Sequence, residues 1–231
     1  MAIQQRTGEA KVKGVADIVF VFDCTNSMKP YIDNVKENVS SLVRGFNSEP
    51  NVKLDWRVRA IGYRDFYCNP EECLFDDTNF TNDIDEFTTE QLSKMKIGSG
   101  GDFTESTIDA IWYALKNSDW RDRCTKVIVV FTDDRPKKLH TRTMDELGVP
   151  EDIEYLQQEL MKQRVQLFMY CQTDSVYEQL HKTERAHVYQ FDEPGEQLLN
   201  TDFGELLEVI GKTVSASIIT DNYSKDKCVQ A

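Results

Sequence analysis

Ile18-Val19-Phe20-Val21-Phe22, running directly into Asp23-Cys24-Thr25-Asn26-Ser27, is the stretch that decides the fold class of this chain. Its successive β-branched and aromatic residues leave no polar face. Such a run reads as a strand covered on both sides, as the central strands of parallel sheets are. Val127-Ile128-Val129-Val130-Phe131 repeats the pattern, and Leu167-Phe168-Met169-Tyr170 nearly does. The segment Val52 to Ala60 alternates instead, with Val52, Leu54, Trp56, Val58 and Ala60 on one side. That strand is expected nearer an edge, with one face wet.

Between these runs apolar residues recur at spacings of three and four. Tyr31, Val35, Val39, Leu42 and Phe46 follow Pro30, and Ile153, Leu156 and Leu160 follow Pro150. Ile108, Ile111, Trp112 and Leu115 make another stripe, as do Phe203, Leu206, Leu207 and Ile210 behind the capping pair Asp202 and Glu205. The alternation of strands and helices predicts an α/β fold: a doubly wound, Rossmann-like central sheet, mostly parallel with one antiparallel edge strand, helices on both faces. A short strand at Ile84 to Phe87 is expected to supply the edge. Residues 15–219 are expected to form one domain, carrying a long acidic insert at 65–90, with an arm at 1–14 and a polar tail at 220–231.

Charge narrows the partners. Lys and Arg total 27 against 40 Asp and Glu, a net charge of −13, which is the wrong sign for a general phosphate-backbone binder. Nucleic acid is therefore not expected. No apolar run approaches the ~20 residues that span a bilayer, and Met1 to Gly14 lacks the apolar core of a signal peptide, so a cytoplasmic location away from membranes is expected. Cys24, Cys68, Cys73, Cys124, Cys171 and Cys228 are scattered, as free thiols in a reducing compartment would be. Cys68 and Cys73 are too widely spaced for a zinc knuckle and lack a second pair nearby.

Three segments carry the chemistry. Asp23, Thr25 and Ser27 stand at i, i+2 and i+4 after the first strand, which places them on one face if the chain stays extended. Phe131-Thr132-Asp133-Asp134 ends the second buried run, and Gly98-Ser99-Gly100-Gly101-Asp102-Phe103-Thr104-Glu105 precedes a helix. In open parallel sheets the loops at the carboxyl ends of the strands converge on the ligand. Oxygen donors without His or Cys suit a hard cation, and Mg²⁺ is the first choice, with Mn²⁺ or Ca²⁺ able to occupy the same oxygens. An ion held by hydroxyls and few carboxylates stays electron-poor and can accept an acidic side chain from another protein.

Asp-x-Thr-x-Ser, Gly-Gly-Asp-Phe-Thr-Glu and Phe-Thr-Asp-Asp, in this order, resemble the three loops of the metal ion-dependent adhesion site of von Willebrand factor A domains. The resemblance covers residues 15–219 and implies a metal set of Asp23, Thr25, Ser27, Glu105 and Asp133. Thr25, Ser27 and Glu105 would touch the ion, while Asp23 and Asp133 hold its waters. The middle loop is closest to the Gly-Gly-Asp-x-Pro-Glu subgroup, with Thr104 in place of Pro, so Glu105 rather than Thr104 is the implied ligand. Likeness to integrin beta subunits further implies a second ion near Asp65, Asp102 and Glu105. The family's intracellular members imply an acidic protein ligand and a multiprotein signalling or stress-response complex with an associated ATPase, kinase or phosphatase. The oligomeric state is left open.

Arg135, Lys137, Lys138, His140 and Arg142 follow Asp133 and could steer an acidic partner, or form an ordinary solvated loop. Two other readings compete. Asp23-Cys24-Thr25 with Asp133-Asp134 resembles the nucleophile and Mg²⁺-binding pair of haloacid dehalogenase-like phosphatases, although that class usually has Asp where Thr25 stands. Alternatively the chain is a structural interaction domain that binds through another face, such as the acidic insert.

Overall fold

A computed structural model describes residues 12–46, 53–69, 74–98, 104–192 and 198–199. The helix expected around Phe203, the tail, and the arm as far as residue 11 lie outside the described residues. The strands are β1 (Val12–Asp23), β2 (Lys53–Tyr63), β3 (Phe75–Asp77), β4 (Thr104–Glu105), β5 (Thr125–Phe131), β6 (Arg135–Pro136), β7 (Val165–Gln172) and β8 (Ala186–Phe191). The helices are α1 (Ile32–Gly45), α2 (Ile84–Glu86), α3 (Thr107–Asn117), α4 (Thr141–Leu147), α5 (Ile153–Lys162) and α6 (Ser175–His181). None of the described helices is long and apolar enough to cross a membrane.

Six strands form one sheet in the order β3-β2-β1-β5-β7-β8, parallel throughout except for β3. β1 begins at Val12, inside the stretch expected to form the arm, and pairs with β2 on one side and β5 on the other. The chain order reverses across β1, so the loops after β1 and β5 diverge there and open a crevice at their carboxyl ends. The all-apolar run of β1 is explained by its two covered faces. Phe20 and Phe22 pack with Val35, Val39 and Leu42 of α1, while Val19 and Val21 pack with Ile111 and Trp112 of α3. Burying a side chain of this size contributes roughly 1.5–3 kcal/mol, which is why the two faces specify the register so firmly.

Two expectations about the edge need correction. Ile84 to Phe87 is not a strand. The Asp83 carboxylate accepts hydrogen bonds from the Asp85 and Glu86 amides at 2.8 and 3.2 Å, an N-cap that opens α2. Irregular helical turns continue to Lys94, and Phe87 buries its ring 5.8 Å from that of Phe20. The antiparallel edge is β3 instead, a three-residue strand whose Asp76 and Asp77 give it no hydrophobic signature. β2, one strand in from this edge, has a wet face only in its first half. Further along, Arg59 is 5% exposed, its guanidinium held by Asp77 at 2.6 Å and by the Asn117 carbonyl at 2.8 Å. A charged residue in an alternating pattern was here a buried ion pair, not a solvated face.

Candidate metal centre

The crevice at the end of β1 is where the carboxylates gather. β1 stops at Asp23, and a 3-10 turn at Asn26–Met28 starts at once with Thr25 as its N-cap residue. The chain is therefore not extended through Ser27, yet the three oxygens still lie close together, each hydroxyl donating to a carboxylate. Asp23 Oδ1 accepts from the Thr25 amide at 2.9 Å and the Thr25 hydroxyl at 2.6 Å. Thr25 Oγ1 lies 3.0 Å from Ser27 Oγ, which donates to Asp133 Oδ1 at 3.0 Å. Four of the five expected ligands thus lie in one line of close polar contacts between the loops after β1 and β5. Asp23 and Thr25 are fully buried, whereas Ser27 is exposed at the mouth.

Glu105, the fifth, is brought in by a local device. β4 and β6 pair in parallel, Thr104 opposite Arg135 and Glu105 opposite Pro136, and the Lys137 amide donates to the Glu105 carbonyl at 2.7 Å. This ladder fastens the loop before α3 to the loop after β5. The Glu105 side chain is 1% exposed and its Oε2 has no hydrogen-bond partner. An orphaned buried carboxylate oxygen is expensive to leave unsatisfied.

Electrostatics mark the same spot. Burial, reinforced by the charges of Asp23, Asp65 and Asp134 and opposed by Lys137, pushes the Glu105 carboxyl up to about 10. Burial and the charges of Asp23 and Asp134 raise Asp133 to about 7. Asp23 is also raised, by burial, against the opposing hydrogen bonds from Thr25, Thr132 and Tyr63. Carboxylates crowded into one buried space repel one another unless protonated or neutralised by a cation. Among the described residues no group of three or more His, Cys, Asp and Glu side chains has metal-holding spacing, so an ion here would depend on the hydroxyls as much as on the carboxylates. The orphaned Oε2 and the all-oxygen donor set fit a hard divalent cation.

Sequence reasoning missed the polar floor beneath these ligands. Thr132 Oγ1 donates to Asp23 Oδ2 at 2.8 Å, and the Tyr63 hydroxyl reaches the same oxygen at 3.4 Å. Tyr63 is also 2.8 Å from Thr107 Oγ1, which accepts from the Tyr177 hydroxyl at 3.0 Å. Thr132 follows β5 in the Phe131-Thr132-Asp133-Asp134 segment and Tyr63 ends β2, but Tyr177 lies on α6, which has no strong periodic signal. On the face of β2 opposite Tyr63, Gly62 leaves room for Cys24: a Cβ there would stand 2.9 Å from Cys24 Sγ.

The remaining candidates are placed less centrally. Asp102 lies outside the described residues. Asp65 is fully buried, and its Oδ2 accepts from Lys137 Nζ at 2.6 Å, so an ammonium group occupies the carboxylate that the second-ion reading assigns to a metal. Lys137 is accordingly a largely covered partner of buried Asp65. Arg135 and Lys138 are exposed beside the site, Lys138 4.0 Å from Glu151.

The model of the von Willebrand factor type A domain matches residues 17–202, a span that includes every side chain of this crevice. The chain belongs to the von Willebrand factor type A domain family. Its A-domain fold is shared with proximal thread matrix protein 1 of the mussel byssus, at a TM-score of 0.57 and 16% identity over 87% of this chain and 46% of that one. A second structure of that protein, described as having a zinc-occupied MIDAS motif, gives a TM-score of 0.55 at 16% identity over 89% and 46%. Alpha-protein kinase vwkA of Dictyostelium discoideum is 28% identical over 118 residues, which is 51% of this chain and 18% of that protein. The A domain thus spans less than half of each of these relatives.

Proposed function

We propose that this A domain is a metal-dependent protein-interaction module that captures an acidic side chain of a partner through a Mg²⁺ ion. One observation supports the reading: Asp23, Thr25, Ser27 and Asp133 are joined by close polar contacts, and buried Glu105, whose carboxyl feels the charge of Asp23, leaves Oε2 without a hydrogen-bond partner. Thr25, Ser27 and Glu105 would hold the ion, with Asp23 and Asp133 orienting the hydroxyls and bound waters. A bound dication would supply a Lewis-acidic position open to a carboxylate of the partner. Asp23 fixes the Thr25 hydroxyl from below, and Asp133 fixes Ser27 from the side, so the hydroxyl lone pairs are already aimed before any ion arrives. Exposed Arg135 and Lys138 would favour the approach of an acidic segment to a chain that is otherwise strongly negative.

The geometry weighs against Asp23 as a phosphatase nucleophile. Asp23 is fully buried and both of its oxygens accept hydrogen bonds, which disfavours it as an accessible nucleophile. In our reading the chain is a binding module of a reducing, cytoplasmic compartment. Its partner would be an acidic segment of an associated ATPase, kinase or phosphatase in a signalling or stress-response complex. The similarity to part of a protein named as an alpha-protein kinase supports the kinase among these.

The test is calorimetric titration of Mg²⁺, Mn²⁺ and Ca²⁺ into EDTA-stripped protein. Wild type is expected to bind one ion, and Asp23→Ala and the exposed, structurally mild Ser27→Ala to lose or weaken it at least tenfold. Equal binding by both folded variants would overturn the assignment. Capture of a partner from lysate in Mg²⁺ but not in EDTA tests the second half of the reading.

A further inference from the structure

Beside the candidate metal centre a buried carboxylate already has a cation of its own. Asp65, in the loop after β2, is fully buried; its Oδ1 accepts from the Tyr67 amide at 2.9 Å and its Oδ2 from Lys137 Nζ at 2.6 Å. Both members of the pair are tied to the segment that carries Glu105. The Phe66 amide donates to Ser106 Oγ at 3.0 Å, and the Lys137 amide donates to the Glu105 carbonyl at 2.7 Å. The Lys137 side chain is only 11% exposed, with the centroid of the Tyr67 ring 5.3 Å from Nζ. Beyond the effects of burial and of Asp23, the Asp65 charge opposes ionisation of Glu105 and the Lys137 charge favours it.

We propose that Lys137 sets the number of ions this centre takes: its ammonium is a tethered cation that neutralises Asp65 beside Glu105, so that one dication suffices, and without it a second dication would bind between Asp65 and Glu105. Lys137 has this role only if Glu105 holds an ion as proposed above. Removing the ammonium takes the cation from Asp65 Oδ2 and leaves two covered carboxylates on segments tied to each other, of which Glu105 already has Oε2 without a hydrogen-bond partner. Buried charges of one sign repel unless they are protonated or joined by a cation, and carboxylate oxygens suit Ca²⁺ and Mn²⁺. An ammonium brings one positive charge and three donors but no vacant coordination position. It therefore neutralises Asp65 without offering an acidic partner a second metal, and capture is confined to the ion at Thr25, Ser27 and Glu105.

The test is calorimetry of Ca²⁺ and Mn²⁺ into the EDTA-stripped full chain, paired with thermal melting in EDTA and in excess of each ion. Wild type and Lys137→Arg are expected to bind one ion and Lys137→Met two. The double variant Asp65→Asn with Lys137→Met, which removes both charges, is expected to return to one. In EDTA Lys137→Met is expected to melt below wild type, and excess ion to raise its melting temperature roughly twice as far as that of wild type, because two ions bind the folded state instead of one. A purely structural ion pair predicts the same loss in EDTA with no additional gain from metal. One ion in wild type and one in folded Lys137→Met would overturn this inference and leave the metal reading standing, whereas no ion in wild type would overturn both. Two ions in wild type, or a Lys137→Met chain that folds neither in EDTA nor with either ion, would also overturn it, since a captured dication is expected to take over from the ammonium.

Discussion

Thr132→Val tests whether the candidate metal centre is held from beneath. Valine matches the shape of threonine but removes the hydroxyl that donates to Asp23 Oδ2 at 2.8 Å, leaving that oxygen only the Tyr63 hydroxyl at 3.4 Å. Oδ1 keeps both of its contacts to Thr25. A hydrogen bond to a charged group contributes about 1.5–3 kcal/mol, and Asp23 is fully buried, so water cannot replace the lost donor. For a chain of this size that loss lowers the melting temperature by roughly 3–12 °C. A group that orients metal ligands without touching the ion typically changes affinity about 10–100-fold. Urea unfolding in EDTA measures the first effect, and Mg²⁺ calorimetry the second. Tyr63→Phe is the internal comparison: its bond to Asp23 is long, so its effect on metal affinity is expected to be the smaller of the two. A Thr132→Val protein with stability within about 0.5 kcal/mol of wild type and unchanged Mg²⁺ affinity would refute the argument that these hydroxyls hold Asp23 in place.

Three further expectations concern the frame. Asp17, midway along β1, is fully buried and receives Arg57 and Arg121 at 2.7 and 2.8 Å; Asp17→Asn removes the charge that both guanidinium groups pair with and is expected to cost about 3–5 kcal/mol at pH 7 in urea unfolding. Burial alone would raise its carboxyl, but the hydrogen bonds and charges of Arg57 and Arg121 outweigh it and hold the pKa below 3.8. This contribution is therefore present above pH 4 and fades as pH falls through the depressed value; a gap between wild type and variant already closing at pH 6 would contradict the depressed carboxyl. Lys137→Met leaves buried Asp65 unpaired and is expected to destabilise by a similar 3–5 kcal/mol or so, whereas a neutral effect would show that the pair at 2.6 Å contributes nothing net. Phe87→Ala, which removes a fully buried ring packed on Phe20, is expected to lower stability by about 3–5 kcal/mol; a change under about 1 kcal/mol would mean the helical part of the acidic insert is not anchored in the core.

The sequence alone determined the central strands, because β1, β5 and β7 are buried on both faces and only continuous apolar runs can occupy such positions. It likewise determined α1, α3 and α5, whose apolar stripes follow the helical period, and the first and third loops of the site, whose oxygens follow strand ends directly. Only the tertiary structure decided the edge and the floor of the site. β3 is three residues long, two of them acidic, and it is a strand because β2 offers it backbone partners. Lys137 reads as one more exposed cation until Asp65 is placed opposite it, and Arg59 reads as solvated until Asp77 covers it. Thr132, Tyr63 and Tyr177 become one network through contacts between residues up to 109 positions apart. Periodicity reports what a segment buries against its own face. It carries no information about which distant polar group will arrive to satisfy a buried charge, and that pairing is where this domain's chemistry is set.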